Sequence, residues 1–251
     1  DYSDNKHYTS DDELGVGFFL KCKSLKAITL PGNLKSVGES AFQECSSLET
    51  LNLPSGITSI GNYAFWGCEN LTSVTLPSGL ISIGDRAFER CNSLISLNLP
   101  SSLTTLGELV IAGCYGLTSL TLHSNLTDVK SNYLFGGMSY YNNLKDVRYI
   151  IDSDLETYLQ SNHPIIYDIR CGIKYYLNDQ EITTLEIPSG ITSIGDGVFF
   201  YSNSLTNLTL SSRVSSIGIS AFSYCNNLKN VRYNIYDDLA TYIQKGHPAF
   251  Y

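Results

Sequence analysis

The chain of 251 residues is 43% hydrophobic and 16% charged, enough apolar material to bury a full core, either as one large domain or as an elongated array. With 24 acidic residues against 16 basic ones the formal net charge is -8, which disfavours non-specific attraction to nucleic-acid phosphates and to anionic membrane surfaces. No apolar run reaches the roughly 20 residues that span a bilayer, so neither nucleic acid nor membrane insertion is expected.

The chain opens DYSDNKHYTSDDEL, with neither an initiator Met nor an apolar signal core; either a signal peptide has been removed or the sequence has been trimmed. LGVGFFLKCKS, residues 14 to 24, reads as the tail of a repeat whose full copies follow. Four segments of 23 residues line up without a gap, beginning at Leu25, Leu48, Leu71 and Leu94. A fifth begins at Leu117 and carries a four-residue insertion, and two more begin at Ile182 and Leu205. All obey one pattern, L-x-x-L-x-L-P-x-x-I-x-x-I-G-x-x-A-F-x-x-C.

Each part of that pattern has a physical reading. Leu51 and Leu53 alternate with Thr50 and Asn52, the period-two signature of a strand with one dry and one wet face. Pro54 removes a backbone donor and ends the strand, and Gly61 permits the next bend. Ala64, Phe65 and Cys68 fit a single short helical turn that points Phe and Cys inward. No copy can bury its apolar face alone, so neighbours stack at about 4.8 Å per parallel strand. The expected fold is an α/β repeat solenoid: a curved rod with a parallel concave β-sheet and short helical turns on the other side.

The pattern resembles the BspA-type leucine-rich repeats of bacterial surface proteins, the I-G-x-x-A-F-x-x-C half being specific to that type. The resemblance covers about Leu14 to Tyr251 and departs from the family in the first 13 residues, the insertion SYYNN and the break between Leu144 and Ile182. It implies a non-enzymatic cell-surface or secreted interaction module, adhesin-like, binding a protein or glycan of host matrix or plasma. A structural spacer that projects other domains is the alternative.

Cys22, Cys45, Cys68, Cys91 and Cys114 fall 23 residues apart, in a column that Met138, Ser202 and Cys225 continue. A column that accepts Met and Ser is a small, buried packing position. Zinc thiolates come in close pairs such as C-x-x-C, absent here, and equivalent side chains in a ladder point in parallel and not at each other. Buried free thiols are expected, with Cys171, outside the column, the most reactive.

Residues 144 to 167 and 228 to 251 align over 24 positions. Each begins as a strand, LKDVRY or LKNVRY, and then replaces the A-F-x-x-C turn with a longer helix that packs on the coil before it. Ser153 or Asp237 is positioned to cap the helix, and Asn162 or Gly246 to end it in a left-handed conformation. CGIKYYLNDQEITTLEIP then reads as strand, Asn-Asp turn and strand. The chain thus divides into modules 1–170 and 171–251, expected to form one continuous solenoid.

His163 with Asp154, and His247 with Asp238, are nine residues apart at opposite ends of a short helix, more than about 12 Å at 1.5 Å per residue. They cannot form a catalytic dyad, and a histidine just past a helix end suits the unpaired carbonyls there. No catalytic motif, phosphate loop or metal-ligand pair occurs elsewhere, so catalytic residues, metal ligands and cofactors are not expected. The outward strand positions, from Thr50 and Asn52 to Asn207 and Thr209, are mostly short hydroxyls and amides. Tyrosines crowd the break region at positions 133, 140, 141, 149, 158, 167, 175 and 176, where they either present a recognition surface or plug the core. The partner-binding candidates are therefore Tyr140, Tyr141, Asp146, Arg148, Tyr149, Glu186, Arg232 and Tyr233.

Overall fold

The computed structural model describes residues 12–130, 134, 143–164, 169 and 171–234. The chain divides into two compact units, the first made of residues 1–147 and 166–168 and the second of residues 148–165 and 169–251. Strands of the first unit are β1 (Glu13–Leu14), β2 (Ser36–Val37), β3 (Thr50–Asn52), β4 (Ser59–Ile60), β5 (Ser73–Thr75), β6 (Ser82–Ile83), β7 (Ser96–Asn98), β8 (Thr105–Leu106), β9 (Ser119–His123) and β10 (Asp128–Val129). Then come β11 (Asp146–Ile151), which runs into the second unit, α1 (Leu155–Gln160), β12 (Lys174–Leu177), β13 (Gln180–Glu181), β14 (Thr184–Glu186), β15 (Ser193–Ile194), β16 (Asn207–Ser211), β17 (Ser216–Ile217) and β18 (Asn230–Asn234).

Each unit is a parallel-strand β-solenoid. In the first, β3 pairs with β5 and β7 with β9, residues meeting their equivalents 23 positions on, as Leu51 meets Val74. A second parallel sheet, β1-β2-β4-β6-β8-β10, runs through the I-x-x-I segment with Val37, Ile60, Ile83 and Leu106 in one buried row. The sequence pattern gave no expectation of it, because its strands are two residues long. The strand segment of the first copy is absent from the sheets, with Ala27 and Thr29 exposed; its Lys26 carbonyl still accepts the Glu49 amide at 3.1 Å, just before β3.

The expected helical turn at A-F-x-x-C is not helix. Ser40, Phe42 and Glu44 donate their amides to Asn62, Ala64 and Trp66 of the next coil at 2.7–2.9 Å, which takes every second donor away from any helix. The intervening residues close tight turns, Ala41 to Gly38 and Cys45 to Phe42. Their third residues, Ser40 (φ 55) and Glu44 (φ 59), are left-handed, as turns of this kind require. The same two columns hold Tyr63 and Gly67, Arg86 and Arg90, Leu109 and Gly113. The one helix among the described residues is α1.

Phe42, Phe65 and Phe88 are fully buried and stack at 5.1–5.4 Å between ring centroids. Each buried ring contributes about 2–3 kcal/mol of apolar transfer, and the stacking up to about 1 kcal/mol more. Gly61, expected to serve a bend, instead permits coil stacking. A Cβ there would lie 2.6 Å from the Glu39 nitrogen of the coil before, and one on Gly84 would meet the Asn62 nitrogen at the same distance.

In the second unit β14, β16 and β18 pair in parallel, as do β15 and β17, and β12 pairs with β11 and with β13. The β12–β13 hairpin turns on Asn178 (φ 49) and Asp179 (φ 61), both left-handed, the geometry the Asn-Asp pair predicts. Asp154, one residue after the expected cap, is the N-cap of α1: its Oδ1 accepts from the Thr157 amide at 2.8 Å and its Oδ2 from the Thr157 hydroxyl at 2.7 Å. Asn162 does not adopt the expected left-handed conformation; its side-chain Oδ1 accepts from the Asp196 amide at 2.9 Å. Within this unit α1 packs on the coil that follows it. Leu159 accepts the Gly195 amide at 2.7 Å, the place Val37 and Ile60 take for Gly61 and Gly84 in the first unit. The second expected helix lies outside the described residues.

Candidate functional site

The strand faces carry the short polar side chains that the alternation predicts. In the first unit Thr50, Asn52, Ser73, Thr75 and Asn98 are exposed, and Thr121 donates its hydroxyl to Asn98 Oδ1 at 3.0 Å. Threonines just before these strands are tied inward: Thr72 and Thr118 hydroxyls donate to the Glu49 and Ile95 carbonyls at 3.0 and 3.1 Å. Asp146 is half-buried at the start of β11.

In the second unit the rows run across three strands. Asn230 donates to Asn207 at 2.7 Å and Asn207 to Thr184 at 3.2 Å, a closed amide ladder. In the neighbouring row Glu186 and Arg232 are exposed on either side of Thr209, about 10 Å apart at 4.8 Å per strand. Tyr233 is half-buried.

Arg148 is exposed on β11, directly opposite Lys174 of β12, and its guanidinium sits 5.6 Å from the centre of the Tyr176 ring. Tyr176 in turn faces Glu181. Two cations and an aromatic ring thus share one face of β11 and β12. Lys174 was missed as a site residue, and Tyr176 was named only within the tyrosine cluster; the alternation within KYYL, which puts positions 174 and 176 on one face, was the available signal.

Tyr149 is not a surface residue. It retains 4% exposure, its hydroxyl has no hydrogen-bond partner, and burial, helped by the charge of Asp152, pushes its phenol well above the usual range. Next to outward Arg148, the same alternation turns it inward. Tyr158 and Tyr175 are buried beside it and donate their hydroxyls to the Val198 and Phe200 carbonyls. These three tyrosines fill the core where the break region lacks the regular coil pattern. Tyr140 and Tyr141 lie outside the described residues.

His163 stacks on the Tyr158 ring at 4.1 Å between centroids, and its Nε2 lies 3.0 Å from the Tyr158 carbonyl. A carbonyl only accepts, so Nε2 carries the hydrogen. This is the helix-end role read from the sequence, while Asp154 caps the opposite end. Among the described residues no group of three or more His, Cys, Asp or Glu side chains is placed to hold a metal ion.

Residues 12–142 and 172–246 match the model of the BspA type leucine-rich repeat region, in six copies. The chain belongs to the BspA-type leucine-rich repeat family. No catalytic family is indicated by that membership. A search among curated protein sequences finds no match. Among solved structures, a leucine-rich repeat protein of Bacteroides ovatus is 27% identical over 89% of this chain, with a TM-score of 0.47. This chain spans 59% of that protein's length. The leucine-rich repeat protein of T. pallidum is 21% identical over 93% of this chain and 76% of its own, with a TM-score of 0.41. A leucine-rich cell surface protein of Faecalibacterium prausnitzii is 19% identical over 94% of this chain and 80% of its own, with a TM-score of 0.37. No described helix of the BspA-type chain is long and apolar enough to cross a membrane.

Proposed function

We propose that this chain is a non-enzymatic, adhesin-like interaction module, displayed at the cell surface or secreted, that binds a partner protein on its strand faces. The observation that carries this is the Arg148, Lys174 and Tyr176 cluster. Arg and Tyr are the residue types that dominate protein hot spots, and here they stand on paired strands in a lawn of short hydroxyls and amides. Arg148 and Lys174 on paired strands suit a partner surface that carries acidic side chains. Glu186 and Arg232 extend the contact within the second unit.

The test is a binding screen against immobilised extracellular-matrix and plasma proteins, using the intact chain and an Arg148→Ala/Tyr176→Ala variant. Loss of about tenfold or more in affinity, steepening at low salt, supports the strand-face reading. Equal binding by the variant discards this surface. Failure of every protein to bind leaves the spacer role as the better account.

A further inference from the structure

We infer that a groove on the turn side of the first unit, over Trp66, is a binding site for a neutral hexose unit of a saccharide. Trp66 is the only tryptophan of the chain and occupies the first variable position of F-x-x-C. The neighbouring coils place Gln43, Glu89 and Ala112 there. The indole does not serve the core, since Ala64 and Phe65 beside it are fully buried while Trp66 is only half-buried.

The next column along the same turn makes room beside it. Its residues run Lys21, Glu44, Gly67, Arg90 and Gly113, all left-handed. Gly67, between two long side chains, leaves a slot one side chain wide. A Cβ there would come within 3.6 Å of the Glu44 Cγ. The resulting groove of about 350 Å³ is lined by Trp66 together with Lys23, Glu44, Ser46, Glu69 and Arg90, at the small end of the range for ligand pockets.

The Arg90 guanidinium lies over the indole ring, 5.3 Å from its centre, and the Glu44 carboxylate lies 3.7 Å from the Lys21 amine and 4.0 Å from that of Lys23, both lysines exposed. Two cations, Lys23 and Arg90, and two acids, Glu44 and Glu69, line the groove, so its charges cancel. A site so balanced favours neither an anion nor a cation. It offers forked donors and acceptors to a ligand rich in both, as vicinal hydroxyls are. The indole accepts the apolar C–H face of a pyranose when the exposed Arg90 side chain swings off the ring. This site lies apart from the strand faces and does not rest on the protein-binding proposal.

Trp66 is also its own reporter. Intrinsic fluorescence of the intact chain is titrated with neutral hexoses, N-acetylhexosamines and their disaccharides. Inorganic phosphate, N-acetylneuraminic acid and choline serve as charged comparators. A saturable shift in emission with at least one neutral saccharide is expected. Gly67→Glu should abolish it by refilling the slot. Glu44 and Arg90 take the same left-handed conformation in the neighbouring coils, and circular dichroism with a cooperative unfolding transition establishes that the variant is folded before its binding is read. Trp66→Phe, followed by calorimetry, should weaken binding about tenfold. The assignment is overturned if no neutral saccharide moves the emission at millimolar concentration, if only charged comparators do, or if Gly67→Glu binds as tightly as the intact chain.

Discussion

The thiol of Cys68 donates to the main-chain carbonyl of Phe42, 3.2 Å away and 26 residues earlier. Cys45 does the same to Phe19, Cys91 to Phe65, Cys114 to Phe88 and Cys225 to Phe199, at 3.0–3.3 Å. The cysteine of each coil therefore ties to the main chain of the coil before it, at the carbonyl of that coil's phenylalanine. No described cysteine is joined in a disulfide. Cys22, expected to be buried with its column, is exposed, while Cys45, Cys68, Cys91 and Cys114 are buried and Cys171 is intermediate. Under native conditions Ellman's reagent should label Cys22 first and Cys171 more slowly. Cys45, Cys68, Cys91 and Cys114 should react only when the chain unfolds, since burial denies the reagent access to them. Peptide mapping of the labelled protein checks the order, and rapid native labelling of Cys68 or Cys91 would contradict it.

The same burial makes the fold sensitive to alkali. It raises the Cys45 and Cys225 thiols to about 11 and pushes Cys68 and Cys91 up further. An unfolded thiol loses its proton near pH 8.5–9 while the folded one keeps it, so the folded state binds more protons and stability falls as pH rises. The loss begins near the unfolded value and continues to the folded one, at up to about 1.4 kcal/mol per pH unit for each thiol. Tm should drop steeply between pH 8.5 and about 10.5, and a Cys68→Ala/Cys91→Ala variant should show a shallower drop from a lower start. Parallel curves would assign the effect to the buried phenols of Tyr149, Tyr158 and Tyr175 instead.

The coil period was legible because every coil repeats its column of Leu, Ile, Phe and Cys, and a 23-residue spacing dictates which residues stack. Conformation within a coil was less so. Ser40, Glu44, Tyr63 and Arg86 do not look like left-handed residues, and only glycines in the same columns, Gly67 and Gly113, marked the turns that replace a helix. Tyr149 was misplaced for a different reason. Its residue type favours interfaces, but its parity on β11 turns it inward, and on a strand parity decides. Trp66 drew no attention because one irregular side chain in a variable position says nothing of the slot that Gly67 leaves next to it.

Gly195 supports a sharp mutational contrast. It accepts the end of α1 so closely that a Cβ would fall inside van der Waals contact of the Ser161 carbonyl oxygen and carbon. Its own amide is the donor to Leu159. Gly195→Ala must therefore push the helix end away from the coil beneath it, costing about 1–3 kcal/mol as overpacking does. Gly32→Ala meets nothing within 4 Å and should stay within about 0.5 kcal/mol of the parent. Denaturant unfolding of both variants checks this, and equal stabilities would mean that α1 does not sit on Gly195.

His163 predicts the opposite pH dependence from the thiols. Burial holds its imidazole below the usual histidine value, only partly offset by the bond to the Tyr158 carbonyl. A free histidine takes up a proton near pH 6.5, whereas the folded one resists until the pH is lower. The unfolded state therefore binds more protons in this window, and stability falls as pH drops below about 6.5, by at most about 1.4 kcal/mol per pH unit. The rings packed on it, Tyr149 and Tyr158, stay neutral throughout, because burial raises both phenols. Ordinary carboxylates titrate near pH 4 and leave the window from pH 7 to 5.5 clear. The readout is the protection factor of the Gly195 amide, which the helix end holds, taken against the intrinsic exchange rate at each pH. It should fall in the intact chain across this window and remain level in a His163→Gln variant. The same fall in both would place the acid sensitivity elsewhere.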